Sequence, residues 1–296
     1  MDRIGSREVI AAGALWGTIG LFIQILGQAG ATAAQISFYR VALACILLAV
    51  PLLCRHGLRA LRIDRRTLGF CVLLGVCCQG VYNIVYSYAV LLTGVSVSAV
   101  LMNTAPVFTA LFAHALFHEH ITRRKWLALA VNILGCSLTA IGGRISGAAL
   151  SAAGIGCGLA SGFCYGMTAI IGRLAGDRTD AATMSVYSYG AAALFLLLWM
   201  GIRGESLAVS APVLGWSALF ALLPTVIAYL LYYRGVQKIR DSSRVPVLAS
   251  VECVVAVGIG VLALHETLDA VKVLGIALVL GSVLLMHSGT QKTACS

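Results

Sequence analysis

The chain has 296 residues, of which 60% are hydrophobic and only 11% charged, with a formal net charge of +10 at pH 7. A soluble domain carries roughly 25% charged residues, so this composition, with a mean hydropathy of +0.95, excludes a soluble enzyme or soluble binding module. The positive charge does not mark a nucleic-acid partner, because the basic residues lie almost entirely between apolar runs, where they orient a chain in a lipid bilayer.

A membrane-spanning helix takes about 20 apolar residues. In chain order such stretches run over 8–27, 33–54, 68–91, 95–117, 124–142, 152–173, 182–201, 213–233, 244–264 and 270–287. The first reaches full spanning length and so does not read as a cleavable signal peptide. No hydrophilic stretch between them is long enough for a soluble domain. With the N-terminus inside, 17 basic residues fall on the cytoplasmic side: Arg3, Arg7, Arg55, Arg59, Arg62, Arg65, Arg66, Arg123, Arg124, Lys125, Arg173, Arg178, Arg234, Lys238, Arg240, Arg244 and Lys292. Three fall outside, Arg144, Arg203 and Lys272. The positive-inside rule therefore sets the orientation and puts both termini in the cytoplasm.

The second half of the chain repeats the first. Gly13-Ala14-Leu15-Trp16-Gly17 opens the first span, and Gly162-Phe163-Cys164-Tyr165-Gly166 recurs 149 residues later. His118-Glu119 recurs as His265-Glu266, and Tyr86 and Val90 recur as Tyr232 and Val236. Five spans in each copy is an odd number, so the second copy must be inverted in the membrane. The fold class expected is an all-α integral membrane protein of ten transmembrane helices in two inverted five-helix repeats, residues 1–148 and 149–296. This is the plan of a secondary transporter working by alternating access at the cell membrane, the plasma or inner membrane.

Two charged residues lie clearly inside spans, Arg40 in the second and Glu252 in the ninth. A charge near the bilayer centre costs at least ~2.5–3.5 kcal/mol on insertion scales, so such residues mark binding or proton pathways. Glu252 is expected near the midplane, roughly 12 Å from the inner end of its span at 1.5 Å per residue, as a cation-binding or proton-coupling carboxylate; the plainer alternative is a structural glutamate bonded to neighbouring helices. Arg40 is expected in the outer half, as a gate or a contact for a substrate carboxylate; its plainer alternative is an arginine tying helix 2 to backbone carbonyls or snorkelling outward. The two depths do not favour a direct pair. Gln79, Asn83 and Tyr86 share one helical face by their spacings of 4 and 3. Asn103 precedes Pro106, which removes a backbone donor. Trp16, Tyr165 and Tyr229 complete a candidate substrate-binding set of Trp16, Gln79, Asn83, Tyr86, Asn103, Tyr165, Tyr229 and Glu252, in a cavity between helices 1, 3, 4, 6, 8 and 9. Tyr232 and Tyr233 read rather as membrane-interface tyrosines.

Other motifs carry no chemistry. The ten cysteines show no metal-ligand spacing, and Cys77-Cys78 is not a CxxC. Gly158, Gly162 and Gly166, like Gly13 and Gly17, form GxxxG patterns that let helices approach closely. The order His265-Glu266-Thr267-Leu268-Asp269 lacks the second histidine of a zinc protease, and no GxxxxGK[ST] loop occurs. No enzyme, metal or cofactor is expected. Helices 5 and 10 are short and almost purely apolar, which suits peripheral packing or a homodimer.

These residues resemble the drug/metabolite transporter superfamily, specifically its EamA-type ten-helix members. The carriers are Trp16-Gly17, Phe38-Tyr39-Arg40, Pro106-Val107-Phe108 leading to Phe117-His118-Glu119, and Val251-Glu252-Cys253 leading to Leu264-His265-Glu266. The family usually has proline after that glutamate; here it is Cys253, which should straighten helix 9, with Pro246 taking over the role. The resemblance implies transport of a small polar metabolite, with amino acids, sugars, nucleotide-sugars, amines and drugs all handled on this scaffold. The expected function is export of an amino acid or related compound, with protons as coupling partner at Glu252. The alternative is transport of an organic cation, such as a quaternary amine, held by Glu252 and an aromatic cage. A passive facilitator or channel fits less well, since the polar residues cluster at mid-depth.

The charge asymmetry predicts that cysteines placed in 142–151 and 201–212 react with an impermeant thiol reagent from outside, and cysteines in 55–67 do not. Outside labelling at 55–67 would overturn both the orientation and the inversion.

Overall fold

The computed structural model describes residues 2–57, 61–118, 123–145, 151–175, 181–238, 248–249, 251–263 and 268–287. Regular structure among them is entirely helical. In chain order the helices are α1 (Asp2–Gly17), α2 (Ile19–Gln28), α3 (Ala33–His56), α4 (Arg65–Leu73), α5 (Tyr82–Thr93), α6 (Val95–Met102), α7 (Ala105–Phe117), α8 (Arg123–Ile145), α9 (Ala152–Ala175), α10 (Ala181–Arg203), α11 (Ala211–Ala221), α12 (Ala228–Lys238), α13 (Val251–Leu262) and α14 (Ala270–His287). Six stretches among the described residues are long and apolar enough to cross a bilayer: Arg3–Gln28, Ala33–Cys54, Arg65–Thr93, Val95–Leu116, Ala182–Arg203 and Ala211–Tyr232. The other four expected spans overlap α8, α9, α13 and α14. Pro246 lies outside the described residues.

Several expected single spans are interrupted, each for a local reason. The first breaks at Thr18, whose hydroxyl turns back to Leu15 O at 2.7 Å. The fourth breaks between α6 and α7. Asn103 and Thr104 cannot continue a regular helix into Ala105-Pro106, because proline disfavours helical conformation before it and supplies no N–H. The carbonyls at the break are still satisfied. Thr104 donates to Leu101 O at 2.8 Å, and the buried Asn132 of α8 donates to Asn103 O at 3.2 Å and to Ser282 Oγ of α14 at 2.9 Å. The third and eighth spans each contain a π-helical stretch, Leu74–Val81 between α4 and α5 and Leu222–Ile227 between α11 and α12. The two begin 148 residues apart, close to the repeat offset in the sequence. Wide turns of this kind expose backbone carbonyls to side chains and occur often at functional sites.

Helix starts follow their capping residues. Thr32 accepts from Gln35 N at 3.2 Å while Gln35 Oε1 accepts from Thr32 N at 2.9 Å, a complete capping box for α3. The same residues fix this end of α3 to the segment after α10: Thr32 donates to Glu205 Oε2 at 2.6 Å, Gln35 to Ser206 O at 2.8 Å and Tyr39 to Leu207 O at 2.5 Å. Asp64 caps α4 through Thr67 N at 3.1 Å.

The core is an aromatic and aliphatic cluster that draws on α1–α3, α5, α6, α9, α11, α12 and α13, with Trp16, Phe22, Tyr82, Tyr86 and Phe220 at its centre. Backbone proximity makes it dense. A Cβ added at Gly17 of α1 would stand 2.8 Å from Glu252 O and 2.6 Å from Val255 Cβ. One at Gly166 of α9 would stand 2.7 Å from Ala105 O. The GxxxG patterns therefore serve packing within the chain, at contacts that only a missing side chain permits.

Overpacking of such contacts costs about 1–3 kcal/mol. Gly17→Val and Gly162→Val should lower the melting temperature of the detergent-purified protein by several degrees, whereas Gly156→Val, at a glycine with open space around it, should leave it unchanged. Equal melting of all three variants would contradict the packing described.

Candidate functional site

One small cavity lies in the middle of the bundle, lined by Trp16, Ile19, Arg40, Cys78, Gln79, Tyr82, Tyr165, Thr168, Tyr229 and Glu252. Six of the nine candidate residues from the sequence thus face it: Trp16, Arg40, Gln79, Tyr165, Tyr229 and Glu252. Its volume for water centres is ≈ 20 Å³, enough for about one water molecule.

Its aromatic wall is built from two groups of rings on helices far apart in sequence. Trp16 meets Tyr229 edge-on at 5.3 Å and Tyr232 at 5.1 Å between ring centroids. Tyr82 stacks on Tyr165 at 5.9 Å and, on its other side, on Tyr86 at 5.8 Å. Tyr86 is therefore a buried support behind Tyr82, and Tyr232 packs on Trp16 from α12. The side chain of Tyr233 lies outside the described residues.

Asn83 and Asn103 do not line the cavity. Asn83 is 3% exposed; its Nδ2 donates to Gln79 O and its Oδ1 accepts from Arg40 Nη1 at 2.7 Å. Asn103 turns back on its own helix, donating to Ala99 O at 2.7 Å. Helix-face arithmetic at regular α spacing places Gln79 and Asn83 on one face. The π-helical stretch changes the register, and Cys78, Gln79 and Tyr82 share the cavity instead. Helix 2 contributes Arg40, whereas the expected helix 4 contributes no lining residue.

Arg40 is 6% exposed. Its Nε donates to Thr225 Oγ1 at 3.1 Å, its Nη1 to Asn83, and its guanidinium lies 4.7 Å from the centroid of the Phe220 ring. Glu252 is half-buried in the first turn of α13. Among the described residues its carboxylate accepts no hydrogen bond and forms no ion pair with Arg40 within the 4.0 Å limit of such pairs. The two charges share a cavity and remain separate. Among the described residues the hydrogen-bond partners of the Arg40 guanidinium are side chains rather than backbone carbonyls.

Sequence reasoning did not single out Ile19, Cys78, Thr168 or Thr225. Thr225 follows Pro224 in the eighth span, and that proline was the available signal for an irregular helix beside the site. Among the described residues no group of three or more His, Cys, Asp or Glu side chains converges as a metal site.

Comparison with known proteins agrees with this architecture. The EamA-like transporter family matches the chain twice, over residues 5–141 and 152–288. A protein of Archaeoglobus fulgidus named as an uncharacterized transporter is 25% identical over 286 residues, covering 96% of each chain. An uncharacterized transporter of Synechocystis sp. is 26% identical over 207 residues, 66% of this chain and 59% of the other. A solved crystal structure has a TM-score of 0.67 at 16% identity over 98% of each chain, a likeness of fold. With its apolar helices and a family match across both halves, the chain is a multi-pass membrane protein and belongs to the EamA-like transporter family, within the drug/metabolite transporter superfamily.

Proposed function

We infer that this transporter is a secondary active carrier for a small amino acid or a related zwitterion, exporting it across the cell membrane by alternating access. Ten spans in two inverted repeats, 1–148 and 149–296, with both termini inside, provide the frame. The observation that carries the substrate class is the pair of unpaired opposite charges on one cavity. Arg40 offers a guanidinium for a carboxylate, and Glu252 offers a carboxylate for an ammonium group. In a low-dielectric interior an unpaired charge is costly, so two of them kept apart favour a ligand bearing both signs. The cavity is too small for a metabolite, whose pockets run to several hundred Å³. Substrate entry therefore requires the helices around it to part, as alternating access demands. Glu252 is the carboxylate placed to exchange a proton with the cavity, and it is the coupling site in this reading.

A second reading rests on the wall of Trp16, Tyr82, Tyr165 and Tyr229. These rings with Glu252 would hold an organic cation through cation–π contacts, and Arg40 would then play no direct part.

Glu252→Gln keeps shape and removes charge. The expected outcome in proteoliposomes is loss of transport, or of its pH dependence, with normal folding and insertion. Unchanged transport and unchanged pH dependence would leave Glu252 a structural residue.

Arg40→Gln separates the two substrate classes. Counterflow of amino acids should fall by tenfold or more, while counterflow of their decarboxylated amines persists. Tyr229→Leu should weaken amine binding by roughly 0.5–2 kcal/mol and amino-acid binding less. Asn103→Ala should alter neither. An Arg40→Gln variant that transports amino acids normally, beside a Tyr229→Leu variant that loses amines, would establish the cation reading in place of the first.

A further inference from the structure

Arg40 and Glu252 open on the same cavity, yet no ion pair forms between them. Opposite charges lining one cavity, within a medium of low effective dielectric, attract each other. Something must hold the flexible arginine back. The hydrogen bonds of its guanidinium identify what does. Nε is taken by Thr225 at 3.1 Å and Nη1 by Asn83 at 2.7 Å. Neither acceptor is free to turn. Thr225 also donates to Phe220 O at 3.4 Å, a bond five residues back along its own chain. Asn83 donates to Gln79 O, which directs its Oδ1 at Arg40. Each anchoring carbonyl lies in or beside a π-helical stretch, Gln79 within Leu74–Val81 and Phe220 just before Leu222–Ile227. Those stretches hold related places in the two halves of the chain. Arg40 is thus gripped from both halves, and among the described residues its Nη2 makes no hydrogen bond, which leaves it for the cavity.

We propose that Asn83 and Thr225 are positioning residues for substrate recognition: they hold the Arg40 guanidinium off Glu252, so that both charges stay open to a zwitterion rather than neutralising each other. Neither touches the cavity; both act through Arg40. The proposal rests on the zwitterion reading for its consequence in transport, and on the geometry alone for the restraint on Arg40.

Two measurements separate these. The first needs no substrate. Melting temperatures are compared for Arg40→Gln, Glu252→Gln and the double variant, in the wild-type background and again with Thr225→Val. Without the threonine hydroxyl Arg40 is expected to reach Glu252, and the non-additivity between the two substitutions should grow by about 2–4 °C or more. Equal non-additivity in both backgrounds would overturn the restraint. If Thr225→Val does not fold, Asn83→Ser carries the same cycle. The second measurement is counterflow of the protein amino acids, each supplied singly to the full chain in proteoliposomes. Thr225→Val keeps the shape and loses the hydroxyl, whereas Thr225→Ser keeps the hydroxyl. The expected result is a rise in KM of about tenfold or more for Val, the worth of one hydrogen bond to a charged group, with kcat little changed and Ser close to wild type. The reverse order, Val normal and Ser impaired, would reduce Thr225 to a packing residue. Should wild type transport no amino acid, the zwitterion reading fails while the melting cycle still decides whether Asn83 and Thr225 position Arg40.

Discussion

A guanidinium enclosed by hydrocarbon has no water to satisfy it, and Arg40 draws the surrounding helices into providing what water cannot. Helix α3 carries it, the start of α5 supplies Asn83, the π-helical stretch before α12 supplies Thr225, and α11 supplies the ring of Phe220. Asn83 lies just beyond one π-helical stretch and Thr225 within the other. Carbonyls in or beside these stretches accept from Asn83 and Thr225, whose side-chain oxygens in turn accept from the buried cation. The aromatic wall then closes over the remaining polar space, with Glu252 at another side of it.

The outline of this arrangement could be read from residue order. Apolar runs at spanning length, the recurrence of Gly13–Gly17 as Gly162–Gly166 and the rarity of charge inside the spans pointed to a membrane carrier with Glu252 near its middle and Arg40 in its outer half. Trp16, Tyr165 and Tyr229 were found by repeat position and residue type, and all three line the cavity. Asn83 and Asn103 failed for one physical reason. An amide on an apolar helix can satisfy itself against the carbonyl four residues back, as both do here with Gln79 O and Ala99 O, and spacing alone does not reveal it. Thr225 was invisible because a threonine in an apolar run usually spends its hydroxyl on its own helix. The π-helical stretches left no mark in hydropathy, which is blind to one extra residue per turn.

Arg40 and Glu252 were expected at different depths with no direct pair between them, and among the described residues no ion pair joins them. Counting residues from span ends assumes straight, perpendicular helices. Arg40, on the continuous α3, and Glu252, on α13, line one cavity, and α1 packs closely against α13 at Gly17.

The close glycine contacts also bear on how such a chain is made. Gly13 and Gly17 pack against Ala249 and Glu252, Gly75 against Ser188, and Gly135 against Gly275. Every one of these partners is synthesised long after the glycine it covers. Helices inserted early must therefore wait in the bilayer with narrow grooves facing lipid, and the fold is completed only when the last spans arrive to fill them. Contacts so distant in sequence form late and slowly, so the grooves of the first half stay uncovered until its other half has been translated.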